Sequence, residues 1–283
     1  MIQSRALLVV TALAVGLGWP SHAWAQGATV PPRPVADDVD LDLVPLNPDF
    51  TVITMPTTLR LPRYKSSFRI THRFGRPLGD GDFGNLLEDF FGLDSGAQIG
   101  FEYRFGLMRG TQVGIHRTSG RTIEFFAQHD LMQERDGRPV SLAVIGTVDG
   151  TNNFRDSYSP ALGVTVSRTL SSAGSLYLQP VWVDNSNPLP SELTDDNDSF
   201  LLGVGARIRV RPTVYLVGEI IPRVGGHDPG VNQASFGIEK RAGGHVFQLN
   251  FSNGFGTTMG QIARGGTSND DWYLGFNISR KFF

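Results

Sequence analysis

From Tyr64 onward apolar and polar side chains alternate at every second position over most of the chain, and the clearest stretch is the last one, Trp272 to Phe283. Successive side chains of a strand point to opposite faces. Trp272, Leu274, Phe276, Ile278 and Phe282 therefore form an apolar face, and Tyr273, Gly275, Asn277, Ser279 and Lys281 a small or polar one. The same period runs through 64–74, 97–106, 111–118, 122–133, 139–149, 160–170, 176–184, 199–210, 213–221, 233–241, 245–252 and 271–283, which predicts twelve strands. Short connections (106–110, 134–138, 171–174, 211–212, 242–244) alternate with longer ones (75–96, 150–159, 185–198, 222–232, 253–270), and only 119–121 breaks the rule. This asymmetry predicts an antiparallel up-and-down transmembrane β-barrel with both termini on the short-turn, periplasmic side.

Parity assigns each strand residue to a face. The predicted outer set includes Phe68, Ile70, Phe101, Tyr103, Phe105, Ile123, Phe125, Leu202, Val204, Ile208, Phe236, Ile238, Phe247, Leu249, Phe251 and Phe276. Lining the predicted lumen are Arg69, Arg73, Glu102, Arg104, Glu124, Asp130, Arg207, Arg209, Arg211, Glu219, Glu239 and Lys281. A soluble β-sandwich also alternates, with its apolar face in a core, so parity alone does not separate the two folds. The termini and the loop asymmetry do. Arg5, the apolar run Ala6 to Leu17, the breakers Gly18 and Pro20, and Ala23-Trp24-Ala25 read as a secretory signal peptide cleaved after Ala25. At the other end, the aromatic close on Phe282 resembles the last strand of bacterial outer-membrane β-barrel proteins. That resemblance implies that Trp272, Leu274, Phe276, Ile278, Phe282 and the out-of-phase Phe283 carry the signal read by the barrel-assembly machinery.

Between the leader and the first strand, residues 26–60 hold Pro31, Pro32, Pro34, Pro45, Pro48 and Pro56 and the acidic run Asp37-Asp38-Val39-Asp40. Proline donates no ladder hydrogen bond, so this segment is expected to lie outside the sheet as a periplasmic N-terminal segment, with the barrel spanning 61–283. Thirty-four glycines and nineteen phenylalanines suit an all-β chain. After residue 25 no apolar run is long enough for a spanning helix, so membrane residence requires a closed barrel. In the first long connection, 85–92 reads either as a short helix on the rim or in the mouth, or as a surface turn.

His72-Arg73-Phe74-Gly75 closes the first strand, and with Phe91-Gly92-Leu93-Asp94, Ile115-His116-Arg117 and Phe276-Asn277-Ile278-Ser279-Arg280-Lys281-Phe282 it resembles an uncharacterised family of outer-membrane β-barrel proteins, a domain of unknown function. The resemblance covers most of 60–283. It implies an outer-membrane barrel and carries over no catalytic residue.

Chemistry narrows the function further. There is no cysteine, which excludes a lipoprotein anchor, disulfides and thiolate ligands. His72, His116, His129, His227 and His245 are available to a hydrolase, but no Gly-x-Ser-x-Gly elbow accompanies them, and Asp94-Ser95-Gly96 is an unspecific candidate. Thr194 to Asp198 lacks the spacing of a known Ca²⁺ loop. No catalytic residue, metal site or cofactor is assigned. With a net charge of −2 and no basic patch interleaved with aromatics, nucleic acid is not an expected partner. The expected surroundings are outer-membrane lipid and the assembly machinery, with a small solute as a possible cargo. Two functions stay open: a narrow channel or uptake barrel, and a non-conducting structural or partner-binding barrel. Arg207, Arg209 and Arg211 share one face of one strand, either attracting anions in an open pore or pairing with Glu219 and Glu239 in a closed one.

Overall fold

The computed structural model describes residues 47–88, 96–189, 193, 196–266 and 268–282. The signal peptide, residues 26–46, Phe91 to Asp94, Ser95, Thr194, Asp195 and Phe283 lie outside them.

Thirteen strands make one antiparallel sheet: β1 (Ser66–Pro77), β2 (Ala97–Met108), β3 (Thr111–Thr118), β4 (Ile123–Met132), β5 (Ser141–Gly150), β6 (Asp156–Leu170), β7 (Gly174–Asp184), β8 (Asp198–Arg211), β9 (Val214–Ile221), β10 (Arg223–Gly226), β11 (Gln233–Ala242), β12 (His245–Ser252) and β13 (Tyr273–Phe282). Sequential neighbours pair from β1 to β9 and from β11 to β13, β9 pairs with β11, and β1 pairs with β13, from Ser66 opposite Phe282 to Arg73 opposite Gly275. β9 and β10 share one place in the wall, since both pair with β8, the first along Val204–Arg211 and the second along Ser199–Leu201. Pro222 separates them, because it has no N–H to give to the ladder. The result is a closed barrel of twelve wall positions, in which β10 pairs on one side only, with β8.

Period two builds the wall. Phe101, Tyr103, Phe125, Val204, Ile208, Phe236, Ile238, Phe247 and Leu249 all face outward and are exposed, Phe101 at 48%. Their strand neighbours Glu102, Arg104, Glu124, Arg207, Glu239, Gln248 and Asn250 are buried. Such a surface is stable only against hydrocarbon, since it exposes a continuous apolar band while hiding charge. Among the described residues three short α-helices lie in the connections, α1 (Phe83–Glu88), α2 (Thr151–Phe154) and α3 (Met259–Arg264), with one 3-10 turn at Glu134–Asp136. α1 keeps Gly84, Asn85, Leu87 and Glu88 exposed. α2 is a left-handed turn, with φ of 50° at Asn152 and 60° at Asn153, a conformation asparagine tolerates better than most residues.

Candidate functional site

The barrel is filled from both ends, and neither filling is a strand. Of the 26–60 segment expected to lie ahead of the barrel in the periplasm, residues 47–60 instead lie inside it, entering with Leu61 through the short-turn end as a hairpin and coming back out to β1. Thr51 bridges Pro56, the Val52 N–H donates to the Met55 carbonyl at 2.8 Å, and the Thr57 N–H donates to the Phe50 carbonyl at 2.8 Å. Proline is tolerated because this ribbon pairs with side chains of the wall instead of with a ladder. Phe50, Val52, Ile53, Met55, Leu59 and Leu61 are all buried. Val52, Ile53 and Met55 pack on Tyr177, Tyr215 and Val217 of β7 and β9.

A buried ribbon must have its peptide groups satisfied, and in this barrel the wall does so. At the hairpin tip the backbone N–H groups of Ile53, Thr54 and Met55 donate to the Glu219 carboxylate at 3.0, 2.8 and 3.1 Å, and the Thr54 hydroxyl donates to it as well. Carbonyls are met in turn. Arg69 and Asn277 donate to Ile53, Gln248 to Val52 at 2.7 Å, Arg207 to Thr51 at 2.9 Å, Gln128 to Thr57 at 2.9 Å and Gln112 to Leu59 at 3.1 Å. Nearer the mouth Lys281 donates to the Pro48 carbonyl, and Tyr177 and Arg207 donate to Asn47 Oδ1.

Charge inside the barrel is compensated locally. Arg207 and Glu239, both fully buried, meet at 3.0 Å. Glu102 lies 2.9 Å from Arg104 and 3.7 Å from Arg69. Arg104 also lies over the rings of Phe50 and Phe126, at 5.1 and 4.5 Å from their centroids. Arg73 donates to Asn277 Oδ1 at 3.1 Å, and Asp130 lies 3.7 Å from Arg60.

The arginine row requires two corrections. Only Arg207 is buried; Arg209 is half-buried and Arg211 is exposed at the short-turn rim, where a register irregularity falls between those two residues. Arg207 also pairs with Glu239 and not with Glu219, because Glu219 is taken by the hairpin tip. The sequence reading missed Gln112, Gln128, Gln248 and Tyr177, and gave Asn277 a place on the polar face of the last strand but no role. Their signal was present, since each is a hydrogen-bonding side chain at an inward position.

The second filling is the connection between β12 and β13. Its helix α3 begins at Thr258, whose hydroxyl accepts from the Gln261 N–H and donates to Asp149 Oδ2 at 2.7 Å. The Met259 N–H donates to Glu124 at 2.9 Å, and Arg264 reaches Asp149 at 3.4 Å. At its far end the Gly265 N–H donates to the Ile262 carbonyl at 3.3 Å, and Arg223 donates to the carbonyls of Ile262 and Ala263. Met259, Ile262 and Ala263 pack on Ala161, Val181, Val183, Leu201 and Ile221, an apolar patch on the inner wall of β6 to β9. Gln233 touches both fillings, with Nε2 at 3.0 Å from the Gly256 carbonyl and 3.4 Å from the Thr54 hydroxyl.

Between hairpin tip and α3 remains a cavity of about 20 Å³, lined by residues including Glu102, His116, Glu124, Thr54 and Met259, with room for about one water. A larger space of about 280 Å³ opens at the short-turn mouth among Asn47, Thr58, Arg60, Gln133, Ser167 and Thr169. The histidines are dispersed. His72 stacks on Phe276 at 4.7 Å, His129 bonds Thr111 at 2.8 Å, His245 bonds Arg280 at 2.8 Å, His116 is buried in the interior, and the His227 N–H bonds the Asp198 carbonyl at the long-loop end. Among the described residues no group of three or more His, Asp or Glu side chains is placed to hold a metal ion. On β13, Leu274, Phe276, Ile278 and Phe282 lie on the outward face, and Phe282 is exposed at the strand end opposite Ser66.

A closed sheet with an apolar exterior and a charged, hydrogen-bonded interior defines a membrane-embedded β-barrel. The chain belongs to the family DUF5777, a membrane bound beta barrel domain, which residues 49–282 match. That match begins within the hairpin. Comparison with curated protein sequences finds no match. Among solved structures the chain is similar to the NanC porin at 6% identity and a TM-score of 0.49, over 77% of this chain and 99% of that one. It is also similar to an outer membrane channel from Pseudomonas putida F1 at 11% identity and a TM-score of 0.46, over 78% and 97% of the two chains. A variant of the Rh. blastica porin matches at 11% identity and a TM-score of 0.34 over 65% of this chain, which spans 55% of that porin.

Proposed function

We propose that this protein is a non-enzymatic outer-membrane barrel held shut in its resting state, through which small polar solutes pass only when the hairpin of residues 47–61 leaves the lumen. The reading rests on the Glu219 carboxylate, which takes three consecutive backbone N–H groups of the hairpin tip and so fixes the obstruction to the wall. Insertion is assigned to the barrel-assembly machinery acting on the aromatic end of β13, and the surrounding partner is outer-membrane lipid. A second reading, a permanently non-conducting structural barrel, is favoured by the buried Arg207–Glu239 pair, which binds the hairpin at Thr51 and Asn47 as well.

Planar-bilayer conductance of the intact barrel and of Glu219→Ala separates these readings. The gated barrel gives no steady conductance when intact and open events in the variant. Silence from a folded Glu219→Ala barrel supports the structural reading, and a steady open pore in the intact protein overturns both. Heat-modifiable migration of the outer-membrane fraction tests the location, and recovery as a soluble periplasmic monomer would refute it.

A further inference from the structure

The outer wall of β11, β12 and β13 carries an apolar groove that ends in cations. Cross-strand pairing arranges its outward side chains in rows. Ile238, Leu249 and Phe276 form one row, and Lys240, Phe247 and Ile278 form the next toward the short-turn rim. At the rim His245 stands opposite Arg280. The first two rows line a depression of about 330 Å³. Ile238, Phe247 and Leu249 are exposed on it at 45–46%, and the two residues of strand between the rows give it a length of roughly 7 Å.

Charge is one-sided along this face. Outward positions of the three strands hold Lys240, His245 and Arg280 and no carboxylate, because Glu239 points inward to Arg207. His245 Nε2 meets Arg280 Nη1 at 2.8 Å, so the imidazole accepts from the guanidinium and fixes its direction. Lys240 sits one row deeper, where a flexible stem lets its ammonium rise toward the same level. A cation in contact with hydrocarbon is costly unless it reaches the interface or a countercharge, and here Lys240 and Arg280 stand on the two strands flanking β12 beside an apolar trough, Arg280 also lying over the Phe282 ring at 5.4 Å.

We propose that this groove is a binding site for one anionic phospholipid of the leaflet at the short-turn rim. Its phosphate lies between Lys240 and Arg280, and an acyl chain runs along Phe247, Ile278 and Leu249. The site is independent of whether the lumen opens, since the side chains that would hold the lipid, Lys240, Phe247, Leu249, Ile278 and Arg280, all face away from the hairpin.

Native mass spectrometry of the full folded protein, released from detergent containing equal amounts of phosphatidylglycerol and phosphatidylethanolamine, tests it. The intact barrel should retain a single phosphatidylglycerol in preference. Lys240→Gln with Arg280→Gln should reduce that preference roughly 30-fold, taking the usual contribution of each surface cation. Ile278→Trp, which fills the groove and keeps both cations, should displace the lipid and decides the matter if the double variant does not fold. Equal retention of the two lipids, an unchanged preference in the folded double variant, lipid retained by Ile278→Trp, or a lipid-free dimer in which a second copy covers the groove would each overturn the proposal.

Discussion

The hairpin at one end of the barrel and the α3 connection at the other both fill the lumen, but they are held by different forces. The hairpin presents peptide groups to the wall and is received by Glu219, Arg207, Arg69, Gln248, Gln112 and Gln128. α3 satisfies part of its own backbone and presents Met259, Ile262 and Ala263 to an aliphatic wall, with polar contacts at its two ends and from Gln261 to Thr118 and Thr122. The difference follows from backbone accounting. An extended ribbon with no neighbouring strand leaves its N–H and C=O groups to be met by side chains, so its socket is polar and specific. A helix needs only its termini met, so its socket can be greasy. Apolar Val181, Val183 and Leu201 on the inner wall are understood in the same way, as the seat of α3.

Loss of charge compensation should separate the two fillings most sharply. Arg207→Leu leaves Glu239 buried without its partner and removes donors from Thr51 and Asn47, costing on the order of 3–5 kcal/mol. A large fall in the heat-modification midpoint is the expected result; an unaltered midpoint would show that the pair does not hold the hairpin. Glu219→Ala strands three buried N–H groups and should destabilise the hairpin by about 3 kcal/mol, within the range for unmet buried donors. Amide exchange of residues 53–55 should then accelerate while the strands stay protected, and equal protection in variant and parent would break the contrast between the two ends.

Smaller effects are expected at the apolar end. Ile262→Ala removes buried aliphatic volume and should cost about 2 kcal/mol, with faster exchange confined to residues 258–265. If the hairpin loosens equally, the fillings are one cooperative unit, and Gln233 is the contact through which they act. The least effect belongs to Arg211→Leu. Although Arg211 shares a face with Arg207, it is exposed at the rim, so stability should move by less than about 0.5 kcal/mol in a thermal melt.

The wall of this protein was legible in its sequence to within a few residues. β3 was read as 111–118 and occupies Thr111–Thr118, β12 was read as 245–252 and occupies His245–Ser252, and 97–106 extends only to Met108. A barrel strand is amphipathic in itself, because its two faces meet hydrocarbon and interior, and so its period of two is written locally. The arginine row shows the limit. Parity placed Arg207, Arg209 and Arg211 together, but depth below the rim and the register irregularity between Arg209 and Arg211 decide which is buried, and period two carries no record of depth.

The twelve wall positions, register parity and the apolar exterior were therefore determined by the sequence alone, while β10, inside the connection read as 222–232, was not. What occupies the lumen was decided by tertiary structure. Residues 51–56 satisfy no local pattern that marks a plug, and their backbone finds Glu219, a residue 164 to 166 positions away, only once the barrel has closed around them. The same holds for Met259 and Glu124, 135 positions apart. Side chains that serve another segment's peptide groups look, in sequence, like any polar face of a strand, and only the closed barrel shows which segment they serve.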